Sequence, residues 1–169
     1  MNEQERVNNI AKTLGKTLIK SGIGFIKSAF YLVPELQTAA RLKAITDTHK
    51  FASVSFSDQK YYLLDWVVWR SIIQNDWSSE KQWKEDKYDC DNFSFLFSSR
   101  MAEIFEVNTA GVAYGQIFNA QTKKFIDGHA FNLILAKENG EIKPYLFEPM
   151  KNKYVFWNPN GESIIENWL

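Results

Sequence analysis

Cysteine is almost missing from this sequence of 169 residues, which has a single one, Cys90. One cysteine cannot form a disulfide within the chain, so the fold is not expected to depend on an oxidising compartment. We therefore predict a cytoplasmic location. The residues from Met1 to Val7 carry two acids and lack the apolar run of a secretion signal, which supports the same expectation.

The sequence also lacks a net charge of either sign. The 20 basic and 20 acidic residues balance, which argues against a protein that binds nucleic acid by neutralising many phosphates. The charge is unevenly spread, because residues 1–50 contain more Lys and Arg than Asp and Glu. No uninterrupted run of about twenty apolar residues occurs, so a membrane-spanning helix is not expected.

The sequence is rich in apolar residues, since 45% of its residues are hydrophobic and 15% are aromatic. This is enough to bury the core of one globular domain. The aromatic rings could fill that core or line a groove, and composition leaves both uses open. Because no repeat, low-complexity tract or linker occurs, we treat residues 1–169 as one domain, with a basic helical extension over residues 1–50 and a core over residues 51–169.

The N-terminal part has the periodicity of a helix. Apolar residues recur at helical spacing, with lysines on the other face: Val7, Ile10, Leu14, Leu18, Ile26 and Phe30 against Lys12, Lys16 and Lys20. This pattern predicts an amphipathic helix, interrupted near Gly22 and Gly24. Its basic face could be solvated, could contact a membrane surface or an acidic partner through residues 7–30, or could shield a site in the core.

Helices followed by strands are predicted for the rest of the chain. We expect a short helix and a turn over residues 35–50, a helix over residues 59–75, and another that begins near Cys90 with Asp89 as its N-cap. After Asn108 the pattern is extended. The predicted strands cover residues 111–118, 125–136 and 142–148, with turns at residues 121–124 and 139–140. The predicted fold class is α+β, with helices packed on an antiparallel sheet.

Cys90 is the first candidate functional residue. A thiol is a strong nucleophile only as the thiolate, and the first turn of a helix favours that anion. The neighbouring acids Asp89 and Asp91 oppose ionisation, so a cationic partner such as a histidine imidazolium is needed. His129 is the candidate, because it opens an extended run and His49, the other histidine, has no such setting. The alternative is a buried, unreactive thiol.

The hairpin predicted at residues 139–140 gives an independent indication. A two-residue Asn-Gly turn places Phe131 opposite Glu148 and His129 opposite Met150. Facing residues share one side of a sheet, so Glu148 is expected diagonal to His129, at about 7 to 8 Å between backbones and within reach of a long carboxylate. The spacing therefore predicts that this carboxylate orients the imidazole.

A helix-borne cysteine, a strand-borne histidine and then an acid, in this chain order, resemble the papain-like and transglutaminase-like cysteine peptidases. The strings that carry the resemblance are Tyr88-Asp89-Cys90-Asp91-Asn92-Phe93-Ser94, Gly128-His129-Ala130-Phe131-Asn132 and Phe147-Glu148-Pro149. Over residues 60–157 they are similar to the calcium-activated peptidase domain at the C-terminus of the fairy-ring mushroom agglutinin and to related bacterial and phage proteins. The resemblance implies a papain-like or transglutaminase-like fold.

The resemblance also implies a role for each residue. Cys90 would be the nucleophile, His129 the general base and then acid, and Glu148 the group that fixes the imidazole tautomer. Calcium would be a cofactor, with Asp89 and Asp91 among its ligands. These two acids could instead only cap and solvate the helix.

Two positions depart from the pattern of that family. Asn92 stands where a second acid often occurs, so this sequence lacks a carboxylate that the family often has at this position. Lys84 stands where a Gln usually contributes to the oxyanion hole, so Gln82 is the candidate donor in its place and Gln74 a further one.

Two functions are open on these grounds. The first is a thiol-dependent hydrolase or acyltransferase that acts on amide bonds of a peptide or protein substrate, with calcium as its one candidate cofactor. The second is a catalytically inactive binding or virion-type structural protein with the same fold.

Overall fold

The computed structural model describes residues 3–28, 30, 32–49, 51, 54–119, 122, 124–150, 153–157 and 163–166. The chain divides into two compact units, residues Met1–Leu32 and Val33–Leu169. This division falls earlier than the predicted end of the extension at residue 50. The reason is that residues 35–46 form a strand and a helix of the second unit.

Apart from Phe30 and Leu32, the described part of the first unit is one helix, α1 (Glu3–Ser28). The helix predicted there is confirmed, but its interruption is wrong, since α1 continues through Gly22 and Gly24. Glycine costs a helix interior about 1 kcal/mol relative to alanine, which a helix of this length tolerates. The side chains of Leu14, Leu18 and Phe25 are exposed. Among the residues described, no helix combines the length and the apolarity that crossing a membrane requires.

The second unit contains two antiparallel sheets and three α-helices within its described residues. In chain order the elements are β1 (Glu35–Thr38), α2 (Ala39–Thr46), β2 (Lys60–Leu63), α3 (Trp66–Gln74), a 3₁₀ turn (Ser78–Glu80), α4 (Cys90–Phe105), β3 (Ala110–Phe118), β4 (Phe125–Glu138), β5 (Glu141–Glu148), β6 (Lys153–Trp157) and β7 (Ser163–Glu166). Strands β1 and β2 form one sheet. The other has the order β3-β4-β5-β6-β7, so β3 is one of its edges.

The hairpin between β4 and β5 has the predicted register. Glu138 pairs with Glu141 and Asn132 pairs with Phe147, as a two-residue turn requires. Asn139 and Gly140 both have positive φ, at 52° and 84°, which is the backbone that favours Asn-Gly in such turns. Of the turn predicted at residues 121–124, positions 121 and 123 lie outside the described residues.

The helix predicted over residues 59–75 is only partly correct. Residues 60–63 form β2, with side chains alternately exposed and buried, and α3 begins only at Trp66. Asp65 precedes α3 in an extended conformation. The burial of residues 60–63 alternates with a period of two, but in the sequence these residues also fit the longer helical pattern. Their pairing with β1 stabilises the strand conformation.

Aromatic side chains fill the core between helices α3 and α4 and the larger sheet. Phe97 of α4 and Phe147 of β5 are both fully buried, with ring centroids 4.7 Å apart. Trp66 of α3 stacks on Tyr145 of β5 at 3.7 Å. Burial of such a side chain contributes about 1.5–3 kcal/mol, so these contacts fix both helices to the sheet.

Candidate functional site

Helix α4 begins at Cys90, as predicted. Asp89 precedes it in an extended conformation (φ −116°), and the Asn92 side-chain oxygen accepts a hydrogen bond from the Asp89 main-chain N–H at 3.1 Å. The Ser94 hydroxyl donates to the Cys90 carbonyl at 2.9 Å. Cys90 is a free cysteine of intermediate burial in the first turn of this helix.

His129 and Glu148 are in direct contact. The distance from His129 Nε2 to Glu148 Oε2 is 2.5 Å, and the two side chains are only 12% and 11% exposed. The other carboxylate oxygen of Glu148 accepts a hydrogen bond from the Met150 main-chain N–H at 3.0 Å. The Phe131 ring lies edge-on to the imidazole, with centroids 4.5 Å apart. The predicted diagonal contact between the two strands is therefore confirmed.

Asn132 ties α4 to the sheet. Its side-chain nitrogen lies 2.9 Å from both the Ser94 carbonyl and the Ser98 hydroxyl of α4, and 3.1 Å from the Gly111 carbonyl of β3. Asn132 is fully buried. No feature of the sequence indicates this role, because an asparagine in a strand is ordinary until its partners are known.

The same contacts place Cys90 at one end of the sheet. Ser94 lies level with Asn132, and Ala110, which follows α4, pairs with Ile134. Cys90 is one turn before Ser94, so it lies toward the His129 end of β4. Among the residues that the structure describes, no hydrogen bond joins Cys90 to His129 or to Glu148. The structure thus brings together two of the three predicted residues in direct contact.

The acids beside Cys90 interact with each other. A hydrogen bond to Asp91 raises the pKa of Asp89, with further contributions from desolvation and from the negative charges of Asp91 and Asp86. Within the described ranges, no group of three or more His, Cys, Asp or Glu residues could hold a metal ion. Two carboxylates fall short of the six to eight oxygen ligands that calcium takes, so these residues do not fit a calcium site by themselves.

The two glutamines considered as hydrogen-bond donors are both exposed. Gln82 lies between the 3₁₀ turn and Lys84, and Gln74 ends α3. Neither glutamine has a hydrogen bond to Cys90 in the described part of the chain. The role of Gln82 stays a prediction.

Sequence reasoning missed a second buried polar cluster, next to the 3₁₀ turn. The Asp76 carboxylate accepts hydrogen bonds from the main-chain N–H and the hydroxyl of Ser78, at 2.9 and 3.1 Å. Arg100 of α4 donates to the Ser78 hydroxyl at 3.0 Å and lies over the Trp77 ring at 4.4 Å. Burial raises the pKa of Asp76, while Ser78 and Arg100 oppose the shift. Asp76 lies one residue beyond the helix predicted over residues 59–75, a position that does not by itself indicate a buried carboxylate.

The fold is shared with solved structures, one of which is a lectin. One, titled as Polyporus squamosus lectin bound to the human-type influenza-binding epitope Neu5Acα2-6Galβ1-4GlcNAc, is 21% identical with a TM-score of 0.50. It covers 75% of this chain, which spans 46% of that structure. Another, titled PSL1a-E64 complex, is 23% identical with a TM-score of 0.50, over 70% of this chain and 46% of that one. This chain therefore spans less than half the length of either structure.

The sequence itself matches a family. Residues 35–158 match the model of the ricin-type beta-trefoil lectin C-terminal domain, which is most of the chain. The chain belongs to this family of lectin C-terminal domains. No curated protein matches the sequence.

These findings correct several predictions. The resemblance to papain-like or transglutaminase-like peptidases, and the fold class drawn from it, are wrong, because the matching family is one of lectin C-terminal domains and a structural neighbour is a lectin. The thiol hydrolase or acyltransferase and the catalytic triad are wrong for the same reason. A peptide or protein substrate is not supported as partner. A shared chain order of Cys, His and Glu does not determine chemistry, because unrelated functions use the same architecture.

Of the two functions left open by the sequence, the non-catalytic binding protein fits the family better, although not as a virion protein. The cytoplasmic location and the binding of calcium stay predictions. The same holds for the contact of residues 7–30 with a membrane surface or an acidic partner.

Proposed function

We propose that this chain is a carbohydrate-binding domain without enzymatic activity, and that His129 and Glu148 form its ligand site. The observation that carries the proposal is the 2.5 Å contact between these two side chains in a chain of a lectin family. Polar side chains held by each other at the end of a sheet are preorganised, so little conformational entropy is lost when a ligand binds.

The chemistry of the site suits a polyhydroxylated ligand. A carboxylate accepts hydrogen bonds from hydroxyl groups, and an imidazole can donate or accept one. The Phe131 ring beside His129 supplies an apolar surface, and small-molecule sites combine such surfaces with a few fixed polar groups. Both polar side chains keep about a tenth of their surface exposed, so a ligand would contact only that exposed edge of the pair.

The class of ligand is taken from a structural neighbour. The Polyporus squamosus lectin of that structure is bound to a sialylated trisaccharide, Neu5Acα2-6Galβ1-4GlcNAc. Since this chain spans 46% of that structure, binding of the same class of ligand by this chain alone is part of the proposal.

Calorimetric titration of the chain with Neu5Acα2-6Galβ1-4GlcNAc and with its component sugars tests this function. We expect binding by the wild type and at least a tenfold loss of affinity in His129→Ala and Glu148→Gln. His49→Ala is the matched control, because it removes the other imidazole of the chain, which bonds the Ile45 carbonyl in another part of the unit. An absence of binding to every sugar, or an equal loss in the control, would contradict the proposal.

We propose further that Cys90 borders the same ligand site, because it lies toward the His129 end of β4. The rate of Cys90 alkylation by iodoacetamide should fall when the site is occupied. Intact mass after incubation with E64, the compound in the PSL1a-E64 complex, gives a second measurement of Cys90 modification, with Cys90→Ser as its control. An alkylation rate that saturating ligand leaves unchanged would place Cys90 outside the site.

A further inference from the structure

Strand β3 presents an unpaired edge whose free backbone groups can be assigned. The Leu135 N–H donates to the Thr109 carbonyl at 2.9 Å, and the register continues in steps of one residue from Ala110 opposite Ile134. Alternate residues of an antiparallel strand point their N–H and C=O groups to opposite sides. The groups that face away from β4 therefore belong to Ala110, Val112, Tyr114 and Gln116. Within the described residues, none of them has a backbone partner there.

A groove runs along this edge. It encloses a cavity of about 580 Å³ between the sheet, helix α4 and residues 54–58. Ser98 and Ala102 line it from α4, while Phe56 and Tyr61 line it from the opposite side. The groove thus has backbone groups along one wall, and on the others a mixed surface in which Phe56, Tyr61 and Ala102 supply the apolar part that strand binding requires.

The edge lacks the features that usually block strand addition. Residues 110–116 contain neither a charged side chain nor a proline, although natural edge strands commonly carry them. Among the described residues that line the groove, the one charged side chain is Asp58. Its carboxylate accepts a hydrogen bond from the Asn108 side chain at 2.9 Å, which fixes a negative charge at one end.

We propose that this groove binds an extended strand of a partner protein, which adds to the sheet at β3. The partner strand would pair with the outward groups from Ala110 to Gln116 and place apolar side chains at alternate positions into the groove. It would carry a lysine or arginine opposite Asp58. The outward N–H and C=O groups recur at every second residue of β3, and an extended backbone carries the complementary groups at the same spacing, which is why a strand fits this edge. This inference does not depend on the ligand site at His129 and Glu148.

A fluorescein-labelled peptide of nine residues, with alternating valine and threonine and one terminal lysine, is the probe. Fluorescence anisotropy should show saturable binding to the full chain. A matched peptide that is N-methylated at every second residue, on the side that pairs, should bind at least tenfold more weakly. Replacement of the lysine by glutamate should also weaken binding, and Asp58→Asn should remove that difference.

Val112→Pro is the variant that tests the edge. The Val112 N–H faces away from β4, so proline there removes a group needed by the partner and leaves the hydrogen bonds between β3 and β4 in place. We expect at least a tenfold loss of peptide binding. If this variant does not fold, amide hydrogen exchange of the wild type decides instead, since bound peptide should slow exchange at residues 112, 114 and 116.

Equal binding of the N-methylated and unmodified peptides would contradict strand addition. So would unchanged exchange at saturating peptide. Sedimentation equilibrium tests the other possible occupant of the edge, a second copy of the chain. A dimer that Val112→Pro converts to monomer would show that a second copy, not a partner protein, covers the edge.

Discussion

One carboxylate oxygen of Glu148 lies 2.5 Å from His129 Nε2. The other accepts a hydrogen bond from the main-chain N–H of Met150, just after β5. Both oxygens of a nearly buried carboxylate are therefore used. Because His129 is on β4 and Glu148 ends β5, this pair locks the open end of the hairpin in one geometry. A ligand that enters the site meets side chains that are already oriented.

Replacement of Glu148 by glutamine should destabilise the protein measurably. The amide keeps the shape of the side chain but loses the charge that strengthens both hydrogen bonds. Since a hydrogen bond to a charged group contributes about 1.5–3 kcal/mol, we expect a decrease of that order in the free energy of unfolding by urea. Glu141→Gln, at the exposed start of the same strand, is the control and should change stability by less than about 0.5 kcal/mol. Equal effects of the two variants would contradict the role given to Glu148.

The contact between His129 and Glu148 could be predicted because it depends on local chemistry. Asn139-Gly140 fixes the length of the turn, and a strand has a period of two, so the register extends from the turn to the end of the hairpin. The start of α4 at Cys90 was predictable for a similar reason, since an N-cap residue stands directly before the helix.

Contacts between distant elements were not predictable from one sequence. Nothing near Asn132 indicates that its amide binds Ser94 and Ser98, because that depends on how α4 packs on the sheet. The function was predicted wrongly for a related reason. The order of Cys, His and Glu along the chain predicts a catalytic group from three positions, whereas the family match over residues 35–158 depends on many positions and indicates a lectin domain.

Gly140→Ala should cost about 1–2 kcal/mol, because φ at this position is 84° and a side chain there is strained. Gly128→Ala is the matched control in the same strand pair. No atom lies within 4 Å of an added Cβ at Gly128, and its φ is not in the positive range. The control should be neutral or stabilising by up to about 1 kcal/mol, through reduced entropy of the unfolded chain. Thermal unfolding of both variants measures the difference, and a neutral Gly140→Ala would show that the turn does not fix the hairpin.

Asp91→Asn should lower the pKa of Asp89. The hydrogen bond and the negative charge of Asp91 are causes of its upward shift, and the variant removes the charge. Carbon-13 NMR titration of the side-chain carboxyl measures the shift directly. Asp86→Asn is the control, because Asp86 acts only through its charge and should lower the pKa of Asp89 by less. If the two variants shift this pKa equally, then the hydrogen bond between Asp89 and Asp91 is not its main cause.

Arg100→Leu should be the most destabilising of these changes. Arg100 lies 3.6 Å from the Asp76 carboxylate, and their side chains are only 11% and 1% exposed. Loss of one partner of a buried ion pair costs about 3–5 kcal/mol, because a charge remains buried without its counter-charge. Contact with Trp77 is lost as well. The double variant Arg100→Leu with Asp76→Asn removes both charges and should recover part of this loss.

The pH dependence of the unfolding free energy of Arg100→Leu separates the contribution of the Arg100 charge from that of its packing. Burial already raises the pKa of Asp76, and Arg100 opposes the shift, so removing Arg100 should raise it further. A carboxyl with a raised pKa in the folded state binds protons more tightly there than in the unfolded chain. Its contribution to stability is present at acidic pH and is lost as the pH rises through the folded-state pKa. The destabilisation by Arg100→Leu should therefore be largest at neutral pH and should shrink on acidification. Urea unfolding of the variant and the wild type at neutral and at acidic pH measures this difference. An equal loss of stability at both pH values would mean that Arg100 acts through packing alone.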